Sequence, residues 1–235
     1  YRLSLPRQSQ VSKARRSMPA SSPVPAPSSS SCMGESETKR QQILTGASAV
    51  FAEHGYEGAS MSAIARQAAV SKGTLYNYFA NKADLFAAFV EQRCREKLPV
   101  ALAPVREDSP PRETLTAVAR AMVRLITQPE SLMLYRIIVS EAPRFPQLGA
   151  IFWENGPRVG IATLANWIRE QEARGTLTTE DPVFAAEQFF ALCQTRIAHL
   201  RRFNLSPENS EADEEKVIHA AVKVFMAAYG TPSAP

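Results

Sequence analysis

Between positions 71 and 82 the chain reads SKGTLYNYFANK, in which an ammonium, hydroxyls and a carboxamide are interleaved with two apolar anchors. At helical spacing, Leu75 and Phe79 fall on an inward side, while Lys72, Thr74, Tyr76, Asn77 and Tyr78 are left to offer groups that bond phosphate oxygens and base edges. Gly73 has no side chain, so the backbone of the first turn can approach a partner closely. Ser71 can cap the helix, leaving N-terminal amides where the dipole favours an anion, and Lys82 can clamp a phosphate from the next helix. Tyr78 has two readings, a phosphate contact or packing against the first helix of the domain.

Catalytic chemistry finds less support. Cys193 and His199 lie six positions apart on one expected helix, nearly two turns, and out of mutual reach. The sequence has no nucleophile-elbow, zinc-protease or phosphate-binding glycine motif. Cys32, Cys94 and Cys193 are widely spaced, with no ligand pair nearby, so no metal, cofactor or disulfide framework is expected. We expect no enzyme, and a reduced, cytoplasmic setting. No apolar run approaches the roughly 18 residues of a membrane span, so no membrane partner is expected.

The elements that must hold the polar run are helices. Ile43, Leu44, Ala47, Val50 and Phe51 share one face over 38–54, and Gly55 supplies a left-handed stop. Ser60 caps a short helix carrying Ile64 and Ala65, Ser71 caps the next, and Asn81 with Asp84 forms a capping-box-like start to a fourth. Two short helices with a tight turn between them make a helix-turn-helix over 60–79. Pro99 and Pro104 end the fourth helix and open a linker. Further helices follow over 112–127, 131–141, 146–154, 157–174, 182–202 and 213–229.

We therefore expect an all-α chain with a DNA-binding domain over 37–97, a linker over 98–111 and a second helical domain over 112–230. Residues 1–36, rich in Ser and Pro, and residues 231–235 are expected to be disordered tails. Of the 27 Lys and Arg, five (Arg2, Arg7, Lys13, Arg15, Arg16) fall in the first tail, against Glu35 alone; the remaining 22 of each sign balance. The basic excess thus belongs to the tail, and the case for DNA rests on local geometry. We expect translation to begin at Met33; the rival reading is a basic arm that adds salt-dependent phosphate affinity.

The stretch from Arg40 to Phe89, including ILTGASAVFAEHGYEGASMSAIARQAAVSKGTLYNYFANKADLF, resembles the DNA-binding domain of the TetR/AcrR family. The resemblance implies DNA contacts at Ser60, Ser62, Lys72, Gly73, Thr74, Tyr76, Asn77, Tyr78 and Lys82, and a homodimer reading double-stranded palindromic operator DNA. Two positions depart from the pattern: Ala69 stands where the family has glycine, and Ala63 stands where an acid would complete the Ser60 cap.

The run from Tyr135 to Phe190, with VSEAPRFPQLGAIFWENGP, is similar to the AefR-like branch. The resemblance implies that 112–230 is a ligand-binding and dimerisation domain whose last two long helices pair with a partner subunit, which places Phe184, Leu192, Leu200, Val217, Val224 and Phe225 at the seam. Met133, Tyr135, Phe152, Trp153, Trp167, Phe190 and Cys193 could line a pocket for a small-molecule inducer. Arg136, Glu141 and Arg196 could orient a ligand or form ion pairs. The implied function is a repressor released from its operator by a small apolar ligand; the alternative is a dimeric binding module whose head, weakened at Ala69, no longer reads DNA.

Overall fold

The computed structural model describes residues 29–106, 108–205 and 210–232. Proline and capping side chains set most of the helix starts. α1 (Ser29–Gly58) is broken by Gly55 at φ 68°, as the sequence leads one to expect, but its first eight residues fall inside the expected tail. The rest of that tail, 1–28, lies outside the described residues.

α2 (Met61–Gln67) and α3 (Lys72–Tyr78) follow, each with a serine at its N-cap, and α4 (Lys82–Ala101) starts from Asn81. Pro99 does not end α4. The bond it forfeits is to the carbonyl of exposed Arg95, while Leu98, Ala101 and Leu102 are buried and hold the last turn in place.

Prolines open the next four elements, α5 (Pro111–Thr127), α6 (Pro129–Glu141), α7 (Pro146–Asn155) and α8 (Pro157–Ala173). α9 (Pro182–Cys193) starts at the Asp181 cap. The single helix expected over 182–202 divides: Arg196 takes φ 58°, and α10 (Ile197–Arg202) resumes in a new direction. No glycine or proline marks this break. It is held by tertiary partners, Arg202 donating to Gln194 Oε1 at 2.6 Å and Arg196 pairing with Asp213 at 3.5 Å, and it sends Ile197 and Ala198 into the core.

α11 (Ser210–Tyr229) closes the fold. Thr231 is not a free tail: its amide donates to Thr176 O at 3.2 Å and its hydroxyl to Gly175 O at 2.9 Å. Residues 233–235 lie outside the described residues. Among the described residues no helix is long and apolar enough to cross a membrane.

Two hydrophobic cores result, and they do not follow the expected division at residue 97. One joins α5, α8, α9 and α11 with Leu98 and Leu102 from the end of α4. The other contains α1 to α4 together with Leu134, Ile137 and Ile138 of α6 and Leu148 of α7. Part of the C-terminal half is therefore built into the N-terminal core.

Candidate nucleic-acid interface

The α2–α3 turn closes as a Schellman motif, with Val70 N–H donating to Ala65 O at 3.0 Å and Ala69 N–H to Arg66 O at 3.1 Å. That closure requires a left-handed residue, and Ala69 supplies it at φ 50°. The methyl costs about 1 kcal/mol relative to glycine, which the closure and its neighbours absorb. α1 keys the same turn from behind. Gln42 Nε2 donates to Ala68 O at 2.6 Å, and Gly46 passes so near that a Cβ there would sit 2.7 Å from that of Ala68.

Within this frame Leu75 and Phe79 are buried, and Ser71, Lys72, Gly73, Tyr76 and Asn77 are exposed. Ser60 and Ser62 on the α2 side are exposed as well. Ser60 Oγ accepts from Ala63 N–H at 3.1 Å, and Ser71 Oγ accepts from Thr74 N–H at 3.0 Å while sharing a 2.8 Å hydrogen bond with the Thr74 hydroxyl. The side chains available to a partner are thus an ammonium, a phenol and a carboxamide on a rigid turn, a set suited to phosphates and base edges. Tyr78 is half-buried against the head core, its hydroxyl 3.5 Å from Ser36 Oγ, which is the packing alternative.

Lys82 has different partners from those expected. Its ammonium donates to the carbonyls of Tyr56, Glu57 and Ala59 at 2.7, 3.1 and 3.0 Å, and lies 4.6 Å from the Tyr56 ring centroid. An ammonium has three donors and all are spent, so in this structure Lys82 ties the end of α1 to the start of α4 and is not a free phosphate clamp. Burial pushes its pKa down, against the pull of Glu141 and Glu57. Nothing in the local sequence signals this, because the carbonyls lie more than 20 residues upstream.

The seven residues expected to line one pocket are not gathered together. Trp167, Phe190 and Cys193 are buried in the α5/α8/α9/α11 core, whereas Met133 and Phe152 pack on the N-terminal core. Tyr135 lies beneath the Arg202 guanidinium, 4.0 Å from its ring centroid, and Trp153 is exposed. Phe152 and Phe190 do meet one seam: Gly156 is beside Cys94 Sγ and Phe152, and Gly160 is beside Leu98 and Phe190. Of the charged trio, the two arginines serve the fold. Arg136 donates to the carbonyls of Arg201 and Arg202, and Arg196 pairs with Asp213. Burial raises the Cys94 and Cys193 thiols to about 11 and about 12, which holds both in the neutral thiol form at neutral pH.

The expected dimer seam also needs correction. Val217 and Phe225 are buried in their own subunit, Phe225 edge-on to Phe189 at 5.3 Å. Both sides of α11 are apolar, and the 217/221/225 side turns inward. Phe184 and Val224 are more than half exposed, with Leu192 and Leu200 half-buried.

A capped helix-turn-helix keyed to a first helix, with a polar recognition surface and a helical C-terminal half, defines a DNA-binding transcriptional regulator. Residues 43–89 match the model of bacterial regulatory proteins of the tetR family, and residues 113–231 match the AefR-like transcriptional repressor C-terminal domain. The chain belongs to the TetR family, with a C-terminal half of the AefR-like type.

Among solved structures, a Mesorhizobium loti protein described as a TetR-family regulator is 31% identical, with a TM-score of 0.77, the alignment covering 83% of this chain and 98% of that one. The flavonoid-responsive regulator FrrA is 33% identical, with a TM-score of 0.68, covering 84% and 100%. The repressor AcnR of Corynebacterium diphtheriae is 40% identical over 58 residues, 25% of this chain and 30% of AcnR. The match therefore spans under a third of that relative's length.

Proposed function

We propose that the chain is a ligand-responsive repressor: a homodimer occupies a palindromic operator, and a small apolar ligand favours the arrangement that leaves it. The observation that carries this reading is the outward surface from Ser71 to Asn77, held rigid from within by Leu75 and Phe79. A second copy fits the face on which α9 and α11 leave Phe184 and Val224 uncovered, beside small exposed residues such as Ala220 and Ala227 that permit close helix approach. Likeness to a flavonoid-responsive regulator supports a small, largely apolar ring compound as ligand. Among the residues expected to line its site, Phe152 and Phe190 meet α8 at Gly156 and Gly160, between the two cores. A ligand acts only through unequal affinity for the two states, so operator DNA must weaken ligand binding by the same factor.

Selection from a random DNA pool, followed by titration of the winner at two salt concentrations, tests the reading. We expect a palindrome bound two chains per duplex, far above random DNA, with log affinity falling steeply with log salt. An absence of enrichment overturns it.

A further inference from the structure

At one margin of the shared apolar core, aromatic and charged side chains of the C-terminal half meet the head together. The α6–α7 turn sets Phe145 edge-on to Tyr56, ring centroids 5.2 Å apart at 66°, and pairs Arg144 with Glu57. The Arg144 guanidinium lies 5.4 Å from the Phe145 ring centroid, and Lys82 lies 4.6 Å from that of Tyr56. Arg144, Phe145, Tyr56 and Lys82 therefore form a continuous chain of contacts from the C-terminal half to the first residue of α4.

Lys82 extends that chain to the Ala59 carbonyl, next to the Ser60 cap of α2. The column thus ends where both α2 and α4 begin, and none of its members lies on the recognition surface. Tyr56 is almost fully buried, so the aromatic step of the column is shielded from water, while Arg144 and Glu57 at its outer end are exposed. Burial raises its phenol and lowers the Lys82 ammonium.

We infer that Phe145, assisted by Arg144, is a positioning residue that sets the tilt of each head on the dimer and thereby decides which separation of operator half-sites the protein accepts. The inference rests on the dimeric repressor reading above. Two-fold symmetry means that a tilt in one head is mirrored in the other, so their separation changes by both displacements together. Adjacent base pairs are only about 3.4 Å apart, so a small angular change spans a full step. Arg144 and Glu57 are exposed and their pair contributes little, so the aromatic contact carries most of the effect.

The test uses the full chain and three kinds of duplex: the selected operator, the operator with its half-sites moved one base pair closer or further apart, and a single half-site. We expect the unaltered protein to lose about tenfold or more in affinity on a one-base-pair shift. Phe145→Ala should reduce that penalty to below about threefold while leaving half-site affinity within about twofold, Phe145→Tyr should keep the penalty, and Arg144→Ala should fall between. An unchanged penalty in Phe145→Ala overturns the inference, as does a parallel loss on half-site and operator, which would mark a destabilised head. If the unaltered protein selects no duplex, the repressor reading itself has failed, a result distinct from a wrong role for the corner.

Discussion

The two cores are made of similar residues but joined to the chain differently. The α5/α8/α9/α11 core draws nearly all its residues from the C-terminal half, around Phe189, Phe225 and Trp167. The core beneath the recognition helix clusters Phe51, Tyr56, Phe86 and Phe89, with ring centroids 5.1–6.1 Å apart, and is completed by α6 and α7 from more than 40 residues downstream. The comparison teaches that the head is not a self-contained reader. Its stability is partly a property of the C-terminal half.

The largest expected effect breaks this asymmetry. Leu148→Ala and Leu164→Ala each empty a fully buried site and should cost about 2–5 kcal/mol in urea unfolding. Only Leu148→Ala should also weaken operator affinity in the folded protein, measured by titration at a temperature where both variants remain native. Equal DNA affinity in the two variants would show the head to be independent of α7.

Gly46→Ala comes next. Its methyl meets Ala68 at 2.7 Å, backbone as well as side chain, and should destabilise by about 1–3 kcal/mol while displacing the turn. Ala69→Gly acts at the same turn in the opposite direction, relieving a positive φ for a gain of about 1 kcal/mol. Denaturation midpoints of the two single variants check both signs.

The smallest effect separates the cores by their thiols. In a Cys32→Ser background, Cys94 reports the margin of the head core and Cys193 the interior of the other. Both are raised above the ordinary value of 9.0 by burial, to about 11 and about 12. The unfolded chain therefore releases these protons first, so stability is complete below pH 9 and declines as pH rises from there towards 11. Thiol labelling of the native protein should modify Cys94 before Cys193, and the reverse order would place the weaker core on the other side.

Local chemistry made the head legible in the sequence. Ser60, Ser71 and Asn81 each cap the helix that follows, and Gly55 stops α1, because these motifs involve residues within a few positions of one another. Ala69 was legible too, as the wrong residue for a left-handed site. The C-terminal half was legible as helices but not as faces. α11 is apolar on two sides, and only its neighbours decide that Phe225 is covered and Val224 is not. The break before α10, held in part by Arg196 on Asp213, and the spent donors of Lys82 escaped for the same reason, since these partners lie well away in sequence.

The contact of Gly46 and Gln42 with Ala68 bears on how such a protein is re-targeted. The turn takes its shape from α1, through the keyed glycine and the carboxamide, and not from the residues that face outward. Lys72, Tyr76 and Asn77 face outward from that mount, so on the proposed reading they can be exchanged without disturbing it. A library confined to those positions can explore new operators without reopening the question of whether the domain folds.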